Sequence, residues 1–309
     1  MTRAVGGRPC ACSAVSIGVS IAWRGGEPGK GSERLGVLKY HGRRVPRGVG
    51  VMGIAGGEAW EYGMPGVSDI AICLRRWDFS ETSQTVSLFA REHGLIRGLA
   101  KGAKREKGRF SGGFDVLTRG QVVAIVKPGA ELATLTDWHL ERTYRAIRQR
   151  LEANRIGLYM ADLTHHMLTD HDPQPRLFDA LSGALDGLAQ VGGAEAALLG
   201  YQWAVLEETG YRPQVERDVE TGAALPKDGR AVAFSARSGG IVVEAEGEDR
   251  WRIRRTTVEL LQRLARGEPI EGADGAVVRR ANRLLAAYGR EIVGREMPAF
   301  RWAFSDLEV

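Results

Sequence analysis

The residues best suited to bind a charged ligand lie in one short basic segment, residues 91–114. Its cations are Arg97, Lys101, Lys104, Arg105, Lys107 and Arg109. Glycines punctuate the segment, and Glu106 is the one acid between the first and last of these cations. Charge this dense on a short turn is typical of a surface that faces phosphates. The segment therefore predicts a nucleic-acid interface that neutralises phosphates without reading sequence. A solvated loop is the alternative.

Aromatic residues accompany the basic segment and supply rings on which bases can stack. They are Trp77, Phe79, Phe110 and Phe114. Most of these rings are expected to belong to the core. Phe110 lies between Arg109 and the pair Gly112-Gly113, so it is the predicted stacking residue.

Arg75 and Arg76 extend the basic surface onto a neighbouring strand. Adjacent strand residues point to opposite faces of a sheet. At most one of the two arginines can therefore join the interface, and we assign Arg76 to it.

The competing class is an enzyme with a metal centre near the end of a helix. His165-His166 and Asp170-His171-Asp172 place five potential ligands within eight residues. Adjacent histidines on a helix point about 100° apart, so only His166 and Asp170 have the i, i+4 spacing of a shared face. Neither a GxxxxGK[ST] phosphate loop nor a GxSxG nucleophile motif is present. We predict no catalytic residue, no metal and no cofactor, with a metal-dependent hydrolase at His165, His166 and Asp170 as an open alternative.

A second alternative is a generic helical DNA-binding regulator. Arg279, Arg280 and Arg283 would form the DNA-binding face of a helix near the end of the chain. No helix-turn-helix spacing selects a recognition helix, so this alternative ranks third.

The composition allows two domains, since 43% of the 309 residues are hydrophobic. The net charge of +5 is only mildly basic, so the interpretation depends on where the charges cluster. Cys10, Cys12 and Cys73 are too few for a disulfide framework or a four-ligand zinc site, which fits a reducing cytoplasm. No stretch approaches the ~20 apolar residues of a membrane span. We expect a cytoplasmic, nucleoid-associated protein.

Hydrophobic patterning places the basic segment in a small β domain. Residues 1–66 hold 16 of the 41 glycines and show no sustained period, so we predict disorder or a gene start assigned too far upstream. Five short strands follow, at 70–74, 86–89, 95–100, 121–127 and 131–137. Five strands in about 70 residues predict a closed barrel of the oligonucleotide-binding (OB) type, with a groove across its strands. We assign residues 67–138 to this DNA-binding domain.

The remaining residues, 139–309, predict a helical domain, which makes the fold class α+β. Apolar positions with helical spacing indicate helices at 140–151, 156–167, 175–190, 194–210, 256–266 and 276–293. Residues 211–246 interrupt them with turn signals and short apolar runs, which predict a hairpin-rich insert. We expect that insert to be held by Val215, Leu225, Val232, Phe234 and Ile241.

From about residue 67 onward the chain resembles the bacterial RecO recombination mediators. The resemblance is carried by Glu81, Glu92-His93-Gly94, Lys101-Gly102-Ala103-Lys104 and the basic run that follows. The order of barrel, helical domain, insert after Gly210 and terminal helices agrees with the family as well. Many members carry a four-cysteine zinc knuckle in the insert. Here the corresponding positions are Asp218 and Thr221, then positions near Val243 and Glu246, so we predict a degenerate knuckle without zinc.

The resemblance implies a non-enzymatic role in recombinational repair through the RecF pathway. Members of the family bind single- and double-stranded DNA and anneal complementary strands. They work with RecR to help load RecA onto DNA coated by single-strand binding protein. The helical domain is thought to receive the acidic C-terminal tail of that protein, for which Arg142, Arg145, Arg148 and Arg150 are candidate contacts.

Overall fold

A computed structural model describes residues 53–55, 58–60, 66–105, 109–111, 114–127, 129–226, 232–247 and 249–304. These residues belong to one compact unit, Pro46–Val309. The preceding unit, Met1–Val45, and most of residues 46–65 lie outside the described residues, so the expectation of disorder or a misassigned gene start for residues 1–66 stays a prediction. Two short described stretches form a small antiparallel pair. That pair consists of β1 (Gly53–Ala55) and β2 (Glu58–Trp60).

The five predicted strands of the β domain are confirmed, and a short sixth is added. The strands are β3 (Gly66–Asp78), β4 (Gln84–Ala90), β5 (Gly94–Ala100), β6 (Phe110–Ser111), β7 (Arg119–Ile125) and β8 (Ala133–Arg142). They follow the order β5-β4-β3-β7-β8-β6, and β5 also pairs in parallel with β8. The five longer strands are therefore hydrogen-bonded in a closed ring.

Strands of this ring are buried on both faces, as β3 illustrates. Ala71 and Cys73 pack in the core inside the ring, whereas Ile72 and Leu74 join the core formed with the helices. Successive strand residues point to opposite faces, so one strand serves two cores. Burial also raises the pKa of Cys73 to about 12, which leaves this thiol unreactive.

Within the described residues, seven helices follow the sheet or lie after the insert. They are α1 (Arg145–Arg148), α2 (Leu151–Met167), α3 (Pro175–Leu188), α4 (Ala194–Glu208), α5 (Arg255–Ala265), α6 (Gly275–Val293) and α7 (Pro298–Ala303). Asp274 caps α6 by accepting hydrogen bonds from the N–H groups of Ala276 and Val277. No helix within the described ranges is long and apolar enough to cross a bilayer.

The predicted helix at 140–151 is wrong in its first part, and only the single turn of α1 and the first residue of α2 are helical within it. Leu140 pairs with Gly120 in the sheet, and β8 continues to Arg142. Tyr144 then adopts a left-handed conformation with φ +44°, which separates the strand from the single turn of α1. Pairing with β7 decided the conformation here, because the helical spacing of four apolar residues is weaker than a complete set of strand hydrogen bonds.

The insert forms a three-stranded antiparallel sheet of β9 (Val232–Ser235), β10 (Gly240–Val242) and β11 (Arg250–Ile253). It reaches Ile253 and is thus longer than the predicted 211–246. The packing expected of its apolar residues is confirmed. Val215, Val232, Phe234 and Ile241 are buried, and Leu225 packs against the same core.

Asp218 joins the two halves of the insert through a buried carboxylate. Its Oδ1 accepts hydrogen bonds from the N–H groups of Glu220 (2.9 Å) and Thr221 (2.7 Å). Its Oδ2 accepts one from the N–H of Val243, beyond the end of β10, at 2.7 Å. Burial raises the pKa of Asp218, but the hydrogen bonds from Val243, Thr221 and Glu220 lower it by more, so the pKa lies below its ordinary value.

A second buried carboxylate, Asp162 on α2, connects the sheet to the helices. It forms an ion pair with Arg75 of β3 and accepts a hydrogen bond from the N–H of Ala299 in α7 at 3.2 Å. Arg91 and Asp179 make a second contact between sheet and helix, with two hydrogen bonds of 2.9 and 2.7 Å, but at an exposed position.

Asp218→Ala should lower the free energy of unfolding by about 2–3 kcal/mol, because three backbone N–H groups lose a charged acceptor. Glu244→Ala removes an exposed acid from the same insert and should change it by less than about 0.5 kcal/mol. Urea unfolding at pH 7 measures both. Equal effects of the two substitutions would contradict the role of Asp218.

The effect of Asp218 should depend on pH. Its folded pKa lies below the unfolded value, so its stabilisation is present above about pH 4 and disappears as the pH falls through the folded pKa. The difference in unfolding free energy between the wild type and Asp218→Ala should therefore shrink in acid. A difference that grows as the pH falls would contradict this assignment.

Asp162→Ala should destabilise the protein by about 2–3 kcal/mol, because Arg75 and the N–H of Ala299 lose a charged partner. Asp179→Ala breaks the exposed pair with Arg91 and should cost less than about 1 kcal/mol. Thermal unfolding followed by circular dichroism compares them. A smaller loss for Asp162→Ala than for Asp179→Ala would refute the assignment of Asp162 as the main connection.

Candidate nucleic-acid interface

The basic segment begins as a tight turn that folds back on the loop between β3 and β4. Gly102 has φ +74°, a left-handed conformation that glycine adopts without strain. Its N–H donates to the Ser83 hydroxyl at 3.3 Å, and the N–H of Lys104 donates to the Thr82 carbonyl at 3.1 Å. These bonds hold residues 101–104 against the end of the closed ring.

Lys104 is partly neutralised within this turn. Its Nζ lies 2.9 Å from Oδ1 of Asp78 and donates a 3.2 Å hydrogen bond to the Ser80 carbonyl. The hydrogen bond from Lys104 lowers the pKa of Asp78. A phosphate that binds Lys104, as predicted, would thus have to compete with the Asp78 carboxylate.

Arg97 and Arg76 are exposed but also have acidic neighbours. Arg97 lies 3.2 Å from Asp170, and Arg76 lies 3.6 Å from Asp115. Asp115 additionally pairs with Arg148 at 2.5 Å. Ion pairs at exposed positions contribute little to stability, so a phosphate can replace these carboxylates with little loss of free energy.

Three predicted cations remain uncompensated. Lys101, Arg105 and Arg109 are exposed, and their side chains have no ion pair or side-chain hydrogen bond within the part of the chain that the structure describes. Lys107 lies outside the described residues. The net positive charge of the segment therefore resides mainly in these three side chains.

Phe110, the predicted stacking residue, is corrected by the structure. Its side chain belongs to the core inside the ring, only 8% exposed. It packs against Phe114 with ring centroids 5.6 Å apart, and Phe114 in turn packs on Trp138 at 4.9 Å. β6 pairs with β8 at this point and draws Phe110 inward, so its ring is not available to a base.

Trp77 and Phe79 are the exposed aromatics, although most of the flanking rings are expected in the core. They are 46% and 61% exposed. Phe79 lies beside the basic turn, since its N–H donates to the carbonyl of Ser83, the residue whose hydroxyl accepts a hydrogen bond from Gly102. Trp77 instead lies near His165 of α2, with ring centroids 6.2 Å apart. The exposure of these rings could have been predicted from the polar run after Phe79, because such a run indicates that the strand ends and a solvent-exposed loop begins.

Arg75 points towards α2, where it pairs with Asp162. A bulge in β3 between Cys73 and Arg75 interrupts the alternation, so Leu74 and Arg75 both face the helices and Arg76 lies on the other face. The assignment of Arg76 to the outer face and the exclusion of Arg75 are consistent with their side-chain exposures of 48% and 25%.

The candidate metal ligands do not converge. His165 Nδ1 lies 3.0 Å from the Ser87 hydroxyl, His166 Nε2 lies 3.2 Å from Arg75, and Asp170 pairs with Arg97. Burial and the nearby Arg75 lower the pKa of His165 to about 4, so its ring is neutral at pH 7. Within the described ranges no three His, Cys, Asp or Glu side chains are placed to hold a metal ion. The hydrolase alternative therefore lacks a ligand set.

The arginines of the regulator alternative divide between two environments on α6. Arg279 is exposed. Arg280 and Arg283 line a cleft shared with β11 and α5. The three side chains therefore do not form one exposed helical face.

Two family models match the chain in sequence order. "Recombination protein O N terminal" matches residues 64–144 and "Recombination protein O C terminal" matches residues 148–299. The first covers the closed ring of strands, and the second covers the helices with the insert.

Curated relatives agree with these matches. The chain is 36% identical to the DNA repair protein RecO of Rhodopirellula baltica over 175 residues, which are 57% of this chain and 65% of that protein. It is 31% identical to the DNA repair protein RecO of an Anaeromyxobacter species over 245 residues, 75% of this chain and 93% of that protein. The same protein of Geobacter sulfurreducens is 31% identical over 193 residues, 62% of this chain and 78% of its own length. With both parts matched in order and one relative aligned over almost its whole length, the chain belongs to the RecO family of DNA repair proteins.

Proposed function

We propose that this protein binds single- and double-stranded DNA in recombinational repair, chiefly through its basic turn. The observation that carries the proposal is the group of uncompensated cations Lys101, Arg105 and Arg109 on the segment whose turn folds back beside the exposed ring of Phe79. Cations that track a phosphate backbone next to rings that stack on bases suit a single strand. Arg76, Arg97, Lys104 and Lys107 extend the same basic surface, and double-stranded DNA would meet it through phosphates alone.

The domain organisation follows from this proposal. The closed ring of five strands supports an OB-type barrel over residues 67–138, followed by a helical domain over 139–309. The insert is a degenerate zinc knuckle. In it, hydrogen bonds to the Asp218 carboxylate join the segments that a zinc ion would otherwise hold together. Its three bonds to Glu220, Thr221 and Val243 support this, since they connect the same two turns that a knuckle would join.

The protein acts as a mediator without catalytic chemistry of its own. In this role it anneals complementary strands, works with RecR and helps RecA load onto DNA coated by single-strand binding protein. A cleft of about 460 Å³ between α3 and α4, lined by small residues such as Ala184 and Ala197, is the proposed receptor for the apolar end of that protein's acidic tail. Among the four candidate arginines, Arg145 is exposed and has no side-chain partner within the described residues.

Replacing Lys101, Arg105 and Arg109 together by Gln should weaken binding of a labelled 30-nucleotide single strand. Each phosphate contact contributes about 0.7 to the slope of log affinity against log salt, so the slope should fall by about 2. Fluorescence anisotropy across a salt series gives the slope. The matched control replaces Arg255, Arg266 and Arg301, which are paired with acids on the helices, and should leave the slope within about 0.5 of the wild-type value. No binding by the wild type at low salt would sink the proposed function.

Phe79→Ala should weaken single-strand binding by about 1–3 kcal/mol, the contribution of one stacked base. Phe110→Leu changes a buried ring in the same region and should leave the affinity unchanged, provided that circular dichroism shows an intact fold. Anisotropy at fixed salt compares the two variants. The opposite order of effects would restore Phe110 as the stacking residue and contradict the assignment of Phe79.

A further inference from the structure

A cleft of about 300 Å³ lies between β11, α5 and α6, on elements that carry none of the basic turn. Apolar side chains line one part of it: Trp251, Ile253, Leu284 and Ala287. Arginines line the rest: Arg252, Arg254, Arg280 and Arg283. No acid is among the described residues that line it. The cleft thus combines an apolar surface with a concentration of positive charge.

Three of the four arginines of this cleft have no counter-ion among the described residues. The side chains of Arg252, Arg254 and Arg280 have no hydrogen bond or ion pair within the residues that the structure describes. Arginine presents planar donors that match phosphate oxygens in pairs. The side chains therefore offer a phosphate several donors that no carboxylate occupies.

Two buried polar atoms in the cleft point more directly to a ligand. Thr257 is 2% exposed, and its hydroxyl has no hydrogen-bond partner. Nε of Arg280 is also buried and without a partner. A buried donor that makes no hydrogen bond costs about 1–3 kcal/mol. Because both atoms can donate, a ligand that supplies acceptor oxygens would remove this cost.

The start of α5 adds a further attraction for an anion. Thr257 lies in the first turn of this 11-residue helix, which has no acidic residue there and no side-chain cap at Arg254. The unpaired N–H groups and the positive end of the helix dipole favour negative charge at this place. The hydroxyl, the guanidinium and the helix start belong to one cleft, so one anion with several oxygens can reach them.

The position of Trp251 favours a nucleotide over a bare phosphate as the ligand of this cleft. Its ring stacks on Phe234 with centroids 6.0 Å apart and planes 15° apart, which fixes its orientation. The same residue lines the cleft with Ile253. A rigid indole beside an anion site suits a base attached to a phosphate.

We propose that this cleft binds one nucleotide of a DNA single strand, with the phosphate at Thr257, Arg254 and Arg280 and the base against Trp251. The inference rests on the proposed DNA-binding function and adds a second contact to it. One molecule could then hold two strands, one on the basic turn and one on the helical part. Two strands held on one protein meet at a high effective concentration, which would favour annealing.

The test is a titration of the full chain with a labelled six-nucleotide oligothymidylate. The wild type should bind two oligonucleotides. The double variant Arg254→Gln/Arg280→Gln should bind one, and the salt-dependent binding that belongs to the cleft should be lost. Its affinity for a longer strand should be about tenfold lower at 0.15 M salt. Arg279→Gln is the matched control, since Arg279 lies next to Arg280 on α6 but does not line the cleft. It should behave as the wild type.

Thr257→Val separates a role in binding from a role in folding. Because the hydroxyl has no partner among the described residues, the valine variant should keep or raise the Tm while it weakens the cleft site several-fold. A lower Tm with unchanged affinity would overturn the inference.

The failure of this inference is distinct from failure of the proposed function. If the basic-turn variant loses DNA and Arg254→Gln/Arg280→Gln does not, the inference is wrong and the proposed function stands. If the cleft variant keeps both oligonucleotides but loses an aspartate-rich peptide that the wild type binds, the cleft is a protein site, and the inference is also wrong. If the wild type binds no DNA, the proposed function fails and the inference fails with it.

Discussion

The buried ion pair between Asp162 and Arg75 holds the helical part of the protein against the sheet. Asp162 also accepts a hydrogen bond from Ala299, so one carboxylate connects β3, α2 and the start of α7. Arg75 is adjacent to Arg76, and the bulge before Arg75 sets the register that turns Arg75 towards α2 and Arg76 to the other face of the strand. A structural contact and a proposed DNA-binding cation therefore occupy neighbouring residues, and each depends on the same strand register.

Closure of the sheet restricts where DNA can bind. The strands bury one face inside the ring and much of the other against helices, so little broad sheet face is left for a ligand. The proposed DNA surface consequently lies at the turns and loops beyond the strand ends, where backbone groups reach water. The turn after β5 suits this position because Gly102 allows it to fold back tightly and presents Lys101 and Arg105 outward.

The two carboxylates Asp162 and Asp218 show how buried charge can organise a structure. Each is surrounded by donors that belong to separate segments, and each would be costly to bury without them. Such donors arrive only when the segments are assembled, so these groups favour one arrangement of the chain over alternatives. The cleft at Thr257 differs because its buried donors have no acceptor in the part of the chain that the structure describes, which is why we propose a ligand for it.

Sequence patterns alone determined the strands of the ring, most helices and the basic segment, because alternation, helical spacing and charge density are local properties. They misassigned residues 140–151, where pairing of β8 with β7 overrode the helical spacing. Tertiary structure decided which cations are free, since the partners of Arg97 and Arg76 come from Asp170 and Asp115, distant in sequence. It also decided which aromatic ring meets solvent. Closure of the ring buries Phe110 and leaves Phe79 exposed, and no local pattern records which side chains a closed sheet will enclose.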